Sequence, residues 1–207
     1  MHPNPIYRRT EASLSLDFAR RRGFGVLAVS TDAAPAMAHV PFLLSEDGTG
    51  ADLHLVRSNP ICRLASGAVA ARLDVMGPDG YVSPDWYGID DQVPTWNYVA
   101  VSLTGRLAPL PPETLPDLLA RQSAAYEARL APKPAWTMDK MTDDTRARFL
   151  RMILPFRLVI EDMQSTWKLG QNKPDAVRRN AAARLTEGFG AELAALSSLM
   201  ADPPAGD

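Results

Sequence analysis

Residues 77–98 read GPDGYVSPDWYGIDDQVPTWNY. The stretch holds two of the four Trp and three of the five Tyr. Three prolines, Pro78, Pro84 and Pro94, break it into short rigid pieces. Each removes a backbone donor and blocks the turn before it, so a long helix is excluded. The aromatic content excludes a solvated linker. Flat side chains held at angles set by Pro and Gly suit a buried β-corner or a pocket for a flat ligand. Taken by itself, the corner is the commoner outcome.

Outward from this stretch the chain reads mainly as strands. FGVLAVS (24–30), PAMAHVPFLL (35–44), ADLHLV (51–56), AVAARLDVMG (68–77), NYVAVSLTGRLAPL (97–110) and FRLVIEDMQSTWKL (156–169) have strand character. EDGTG at 46–50 is a hairpin turn. EASLSLDFARRR (11–22) has helical spacing, with Leu14 and Phe18 on its inner face and Gly23 as its stop. SNPICRLASG (58–67) is a short helix. Helices at 111–131, capped by Thr114 with Pro116 in the first turn, and at 142–153 form an insertion at about 111–153. A C-terminal helical segment follows at about 174–200, and ADPPAGD (201–207) is expected to be disordered. Six strands in hairpin-like order with segregated helices predict a mainly β, α+β fold. Its architecture is a closed or nearly closed antiparallel barrel, as one domain over residues 1–207.

Composition narrows the function classes. The 46% hydrophobic and 22% charged content is that of a soluble globular chain. One cysteine, Cys62, excludes an intrachain disulfide and a cysteine metal cage. The start lacks a signal-peptide core and no apolar run is long enough to span a bilayer, so a cytoplasmic protein with no membrane partner is expected. A net charge of −2 gives no global pull toward nucleic acid. GxGxxG, GxxxxGK[ST] and GxSxG patterns are all missing, against dinucleotide, P-loop and serine-hydrolase readings.

Two segments suit an anionic ligand. In RSNPICR (57–63), Asn59 sits at an N-cap position and Pro60 at the first helical position, flanked by Arg57 and Ser58. Helix starts attract phosphate, and Arg57 would add a bidentate partner; an ordinary capped helix with a solvated arginine is the alternative. In KLGQNK (168–173), Lys168, Gln171 and Asn172 offer donors and acceptors for a phosphate or a ring edge, or simply make a turn. His39 and His54 lie on neighbouring strands and could face each other, but no third ligand accompanies them, so no metal site is expected. Lys173, Arg178, Arg179 and Arg184 give a basic stripe that could meet DNA phosphates or be a solvated helix face.

AHVPFLL (38–44), RSNP (57–60), GPDGYVSPDWY (77–87), VPTWNY (93–98) and KLGQN (168–172) together resemble PaiB-type FMN-binding proteins, often labelled negative transcriptional regulators. The resemblance runs to about residue 185 and implies a split β-barrel, of the flavin-binding type, as a homodimer with FMN at the subunit interface. It places His39, Pro41 and Phe42 beside the flavin ring. It places His54, Arg57, Ser58 and Asn59 at the ribityl phosphate. Thr95, Trp96 and Asn97, with Lys168, Gln171 and Asn172, would close the site. The family usually carries Trp at Cys62 and Ser at Gly170, so packing bulk and one hydroxyl are lost here. No residue is identified as a catalytic acid or base. The functions implied are an FMN-bound repressor of transcription, or, from the related folds, an FMN-dependent oxidoreductase acting on a small molecule or NAD(P)H. A flavin-binding module with neither role is the third possibility.

Purified protein should bind FMN and show a flavin spectrum. Arg57→Ala should weaken FMN more than riboflavin, measured by fluorescence titration; equal losses would remove Arg57 from the phosphate.

Overall fold

Apolar residues at every second position pair off into strands wherever one face is buried. The computed structural model, which describes residues 1–206, contains helix α1 (Ala12–Arg22), strands β1 (Phe24–Val29), β2 (Ala36–Leu44) and β3 (Gly50–Val56), and the short helix α2 (Pro60–Leu64). Strands β4 (Val69–Val82) and β5 (Thr95–Pro109) follow, then helices α3 (Leu115–Glu127) and α4 (Asp143–Leu150). The chain ends with β6 (Ile153–Lys168), α5 (Asp175–Arg184), β7 (Gly190–Ala191) and α6 (Leu193–Ala201).

The strand order is β1-β2-β3-β6-β5-β4-β7, and β1 also pairs with β4. Six strands therefore close into the expected antiparallel barrel, with β7 added outside the ring on β4. Closure runs from Val26 opposite Asp74 to Val29 opposite Ala71. A Cβ at Gly25 would lie 2.7 Å from the Asp74 carbonyl oxygen, so this approach needs glycine. No helix among the described residues is long and apolar enough to cross a membrane.

The chain forms two compact units. The first comprises Met1–Phe18, Val75–Ser102 and the residues from 163 onward; the second comprises Ala19–Asp74 and Leu103–Asp162. The second unit buries Leu27, Phe42, Leu53, Leu73, Leu103 and Phe156 completely or nearly so. The first buries Phe18, Val99, Trp167, Leu185, Leu196 and Met200. Each such side chain contributes roughly 1.5–3 kcal/mol.

Several local expectations are corrected. Leu14 is exposed, and α1 turns Ser15 and Phe18 inward instead. The cause is Trp167, whose indole Nε1 donates to Ser15 Oγ at 3.1 Å while its ring meets Phe18 edge-on. Thr114 is not a side-chain cap for α3; its hydroxyl donates to the Pro111 carbonyl. β4 continues past Gly77 and Pro78 to Val82, and Asp79 and Gly80 pair with β7. In the tail, Gly206 bridges to Thr10, while Asp207 lies outside the described residues.

One charge cluster ties the second unit together. Asp52 on β3 is buried and accepts from Arg157 of β6 at 2.6 and 2.9 Å and from Arg121 of α3 at 3.1 Å. Burial works to raise the Asp52 pKa, but the hydrogen bonds and charges of Arg157 and Arg121 outweigh it and hold the carboxyl below its ordinary value. The folded state then binds this proton more weakly than the unfolded chain. The stabilisation is complete above the ordinary carboxylate value and is lost as pH falls through the depressed one. The guanidinium side chains are 45% and 48% exposed, so the solvent-screened worth is about 2 kcal/mol. Asp52→Ala should lower the urea unfolding midpoint at pH 7, and the gap from wild type should shrink toward pH 3; a gap independent of pH would contradict the charge assignment.

Candidate functional site

The second unit holds seven of the sequence-predicted site residues. Asn59 behaves as read: its side chain accepts from the Ile61 amide at 2.9 Å and Pro60 follows at the first helical position. That success removes the free amides, since the Asn59 amide itself donates to Val56 O and the Cys62 amide to Asn59 O. With α2 only five residues long, its dipole is also weak. Anion binding here falls to the Arg57 and Ser58 side chains, both exposed. Arg57 donates through Nε to Arg151 O at 3.0 Å, which orients the guanidinium and leaves its terminal nitrogens without hydrogen bonds among the described residues. Arg63, passed over in the sequence, brings a second positive charge beside Cys62. Burial pushes the pKa of the half-buried Cys62 thiol up, away from the thiolate form, against the pull of Arg57 and Arg63.

The histidines do not face each other. His39 pairs in register with Val26 and stacks on Phe24 at the surface, ring centroids 6.4 Å apart. His54 sits opposite Pro155 and beside Gln122 of α3. Strand alternation explains this: Leu53 and Leu55 point into the core, so Asp52 and His54 share the face that α3 covers. Burial holds the His54 pKa below its ordinary value, offset in part by the Gln122 amide. His54 Nδ1 and Gln122 Nε2 are both buried without a well-formed hydrogen bond. Phe42 is buried, and Pro41 lines a shallow cavity of about 410 Å³ with Phe24 and Tyr126.

The first unit holds the other six. Lys168, the last residue of β6, donates through Nζ to Thr95 Oγ1 at the start of β5. Lys168 is half-buried, burial depresses its pKa, and no carboxylate pairs with it among the described residues. An ammonium drawn from water with only a hydroxyl as partner is a ready anion site. Asn97 and Gln171 are engaged elsewhere. Asn97 is buried with its amide on the Met200 sulfur at 3.3 Å. Gln171 closes the turn after β6, accepting from the Leu169 amide and donating to Trp167 O. Asn172 is exposed. Gly170 has φ +85°, where a serine would be strained, so glycine here follows from the backbone.

Trp96, 45% exposed, belongs to an aromatic cluster that the sequence disclosed only in part. Tyr81 and Phe189 stack at 5.2 Å and Trp96 meets Phe189 edge-on at 5.7 Å. Phe189 lies 93 residues from Trp96, and its place depends on the β4–β7 pairing, which has no local signal. Of the basic stripe at 173–184, Arg178 is buried, Lys173 is half-buried, and Arg179 and Arg184 are exposed. Buried Arg178 holds Met200 O and Asp175, Arg179 holds Ala201 O, Arg184 pairs with Glu187, and Lys173 donates to Gln92.

Comparison with known proteins places this geometry. The family model described as "Putative FMN-binding domain" matches residues 1–162. The protease synthase and sporulation protein PAI 2 of Bacillus subtilis (strain 168) is 26% identical over 204 residues, covering 98% of this chain and 97% of that protein. Among solved structures, the FAD and heme binding protein from Mycobacterium smegmatis is similar at a TM-score of 0.57 and 17% identity, over 89% of this chain and 82% of that one. The flavocytochrome Anf3 from Azotobacter vinelandii gives 0.54 at 12% identity, over 82% and 73%. At such identities the structural likeness establishes the fold.

If Lys168 awaits an anion, Lys168→Met should weaken flavin-nucleotide binding about tenfold, one charge-assisted hydrogen bond. Lys168→Arg should retain most of it. The unliganded melting temperature should hold or rise in Lys168→Met, because a desolvated cation is removed; a fall in melting temperature with unchanged affinity would make Lys168 structural.

Proposed function

We propose, from the premise that this chain belongs to the FMN-binding domain family, that it works as a homodimeric FMN-binding repressor of the PaiB type. FMN is the cofactor of that family, and when bound it supplies one- and two-electron chemistry at its ring system. The residues present fit the group. The observation that carries the proposal is Lys168, a half-buried ammonium without a carboxylate partner among the described residues. In the second unit, taken by itself, Arg57 is oriented by the Arg151 carbonyl with its terminal nitrogens open, a cation suited to a phosphate. Ser58 beside it adds a hydroxyl, and Thr95 orients Lys168. Trp96 offers a flat apolar face suited to a ring.

Dimerisation is supported by large apolar groups left at the surface. In the first unit Val93, Trp96 and Phe189 are exposed, and in the second Phe24 and Met37. Clustered exposure of this kind marks an interaction surface. The repressor role is supported by the likeness to PAI 2 across nearly the full length of both chains. The expected compartment is the cytoplasm.

A second function has one observation in its favour. Two of the three arginines of α5 already have carboxylate partners, Arg178 with Asp175 and Arg184 with Glu187, which reduces the charge that helix offers to DNA. An FMN-dependent oxidoreductase needs no such surface. In that case Lys168 would hold the anionic end of the cofactor and Trp96 would limit water at its ring.

Light scattering of the FMN-saturated protein should give twice the 22.5 kDa chain mass; a monomer would remove the dimer. A gel shift on the protein's own promoter region across salt concentrations separates the two functions. Sequence-selective retention supports the repressor. Its absence, together with NAD(P)H oxidation above that of free FMN, would transfer the assignment to the oxidoreductase.

A further inference from the structure

A cavity of about 780 Å³ opens in the second unit beside the cluster around Asp52. Its wall carries Arg20, Arg21, Arg121, Arg129 and Arg157, against the carboxylates of Asp52 and Glu46. Like charges at close quarters repel, so such a gathering holds only where the guanidinium groups are answered by partners or by a ligand. The origin is sequence-remote: the last turn of α1 supplies two, the insertion helix α3 and the turn after it supply two, and β6 supplies one.

The five are not equivalent. Arg20 is turned onto the Ser45 and Glu46 carbonyls at 3.1 and 3.2 Å. Arg157 holds Asp52 through Nε and Nη2, and Arg121 holds Asp52 through Nη2 and Asp117 through Nε at 2.8 Å, so both are already answered by carboxylates. Arg21 and Arg129 make no hydrogen bond or ion pair among the described residues. The rest of the lining is apolar: Leu43, Leu44, Ala125 and the ring of Tyr126. The Tyr126 hydroxyl is held between the Gly23 and Phe42 carbonyls at 2.6 and 2.8 Å, which fixes that ring as a wall. Two guanidinium groups without partners among the described residues, above a fixed apolar floor, are the complement of a small organic anion, charged at one end and apolar at the other.

We propose that this cavity is a second ligand site, for a phosphorylated small molecule with an apolar body. The phosphate engages Arg21 and Arg129 and the unused Nη1 groups of Arg121 and Arg157; the body rests on Leu43, Ala125 and Tyr126. Of the residues that the family resemblance assigns to the flavin, Phe42 alone lines this cavity, and it is 1% exposed. Tyr126 and Arg129 also line the 410 Å³ cavity that holds Pro41, so the two cavities adjoin, whereas Arg21 belongs to this one. A ligand here would link α1, α3 and β6 through one anion, as Asp52 already links α3, β3 and β6.

The test is calorimetric titration of the FMN-saturated full chain with 1-naphthyl phosphate, 1-naphthol and inorganic phosphate as probes. 1-Naphthyl phosphate should bind one per chain, at least tenfold tighter than either of the others. Arg21→Gln and Arg129→Gln should each weaken it about tenfold, one charge-assisted contact apiece, and Arg21→Gln should leave FMN affinity within twofold of wild type. Ala125→Trp should abolish binding by filling the floor, and it keeps the test decisive should an arginine variant fail to fold. No binding to wild type, equal binding of 1-naphthol, indifference to all three substitutions, or displacement of FMN would each overturn the second site. The same titration on flavin-free protein gives the same result if the site stands, whatever becomes of the flavin assignment.

Discussion

The pairing of β1 with β4 is the constraint on which the rest depends. It joins two strands that are forty-odd residues apart in sequence and leaves neither as an edge. An open six-stranded sheet would present two rows of unpaired amides and carbonyls, a template for association. Closure instead forces alternate side chains of every strand toward one interior, which is why Leu27, Leu53, Leu73 and Phe156 are so completely buried. The outward residues then become available for other work. Asp52 and His54 are outward residues of β3, and the insertion helix α3 covers that face.

Legibility in the sequence follows the range of the interaction concerned. Period-two alternation is local, so FGVLAVS (24–30) and ADLHLV (51–56) were readable as strands, and Asn59–Pro60 as a helix start. Gly77 and Pro78 misled because they are ordinarily breakers, yet β4 runs through them. Leu14 and Ser15 show the same limit: helical spacing allows either face, and Trp167, more than 150 residues away, decides it. The partners of Asp52 lie 69 and 105 residues off, which no local pattern can reveal. The family resemblance brought the candidate site into view, but it could not separate residues that remain open, such as Arg57 and Lys168, from those the protein uses itself. Asn97 and Gln171 proved to be of the second kind.

Polar groups in this protein divide by whether they are answered internally. Gln171 satisfies two backbone groups and leaves nothing for a ligand. Lys168 has only a hydroxyl, and burial makes that shortage costly. The same contrast separates Arg157, matched by Asp52, from Arg129, matched by nothing described. Incomplete answers of this kind point to ligands more directly than residue type does.

The clasp between α5 and α6 bears on how the first unit comes apart. Arg178 and Arg179 cap the final carbonyls of α6 at Met200 and Ala201, and Ser197 returns a hydrogen bond to Ala182 O of α5. Each helix thus completes the other's hydrogen bonding, and neither is long enough to persist alone in water. The pair is one cooperative element: its amides open to exchange together, and fraying from the C-terminal side has no stable halfway point.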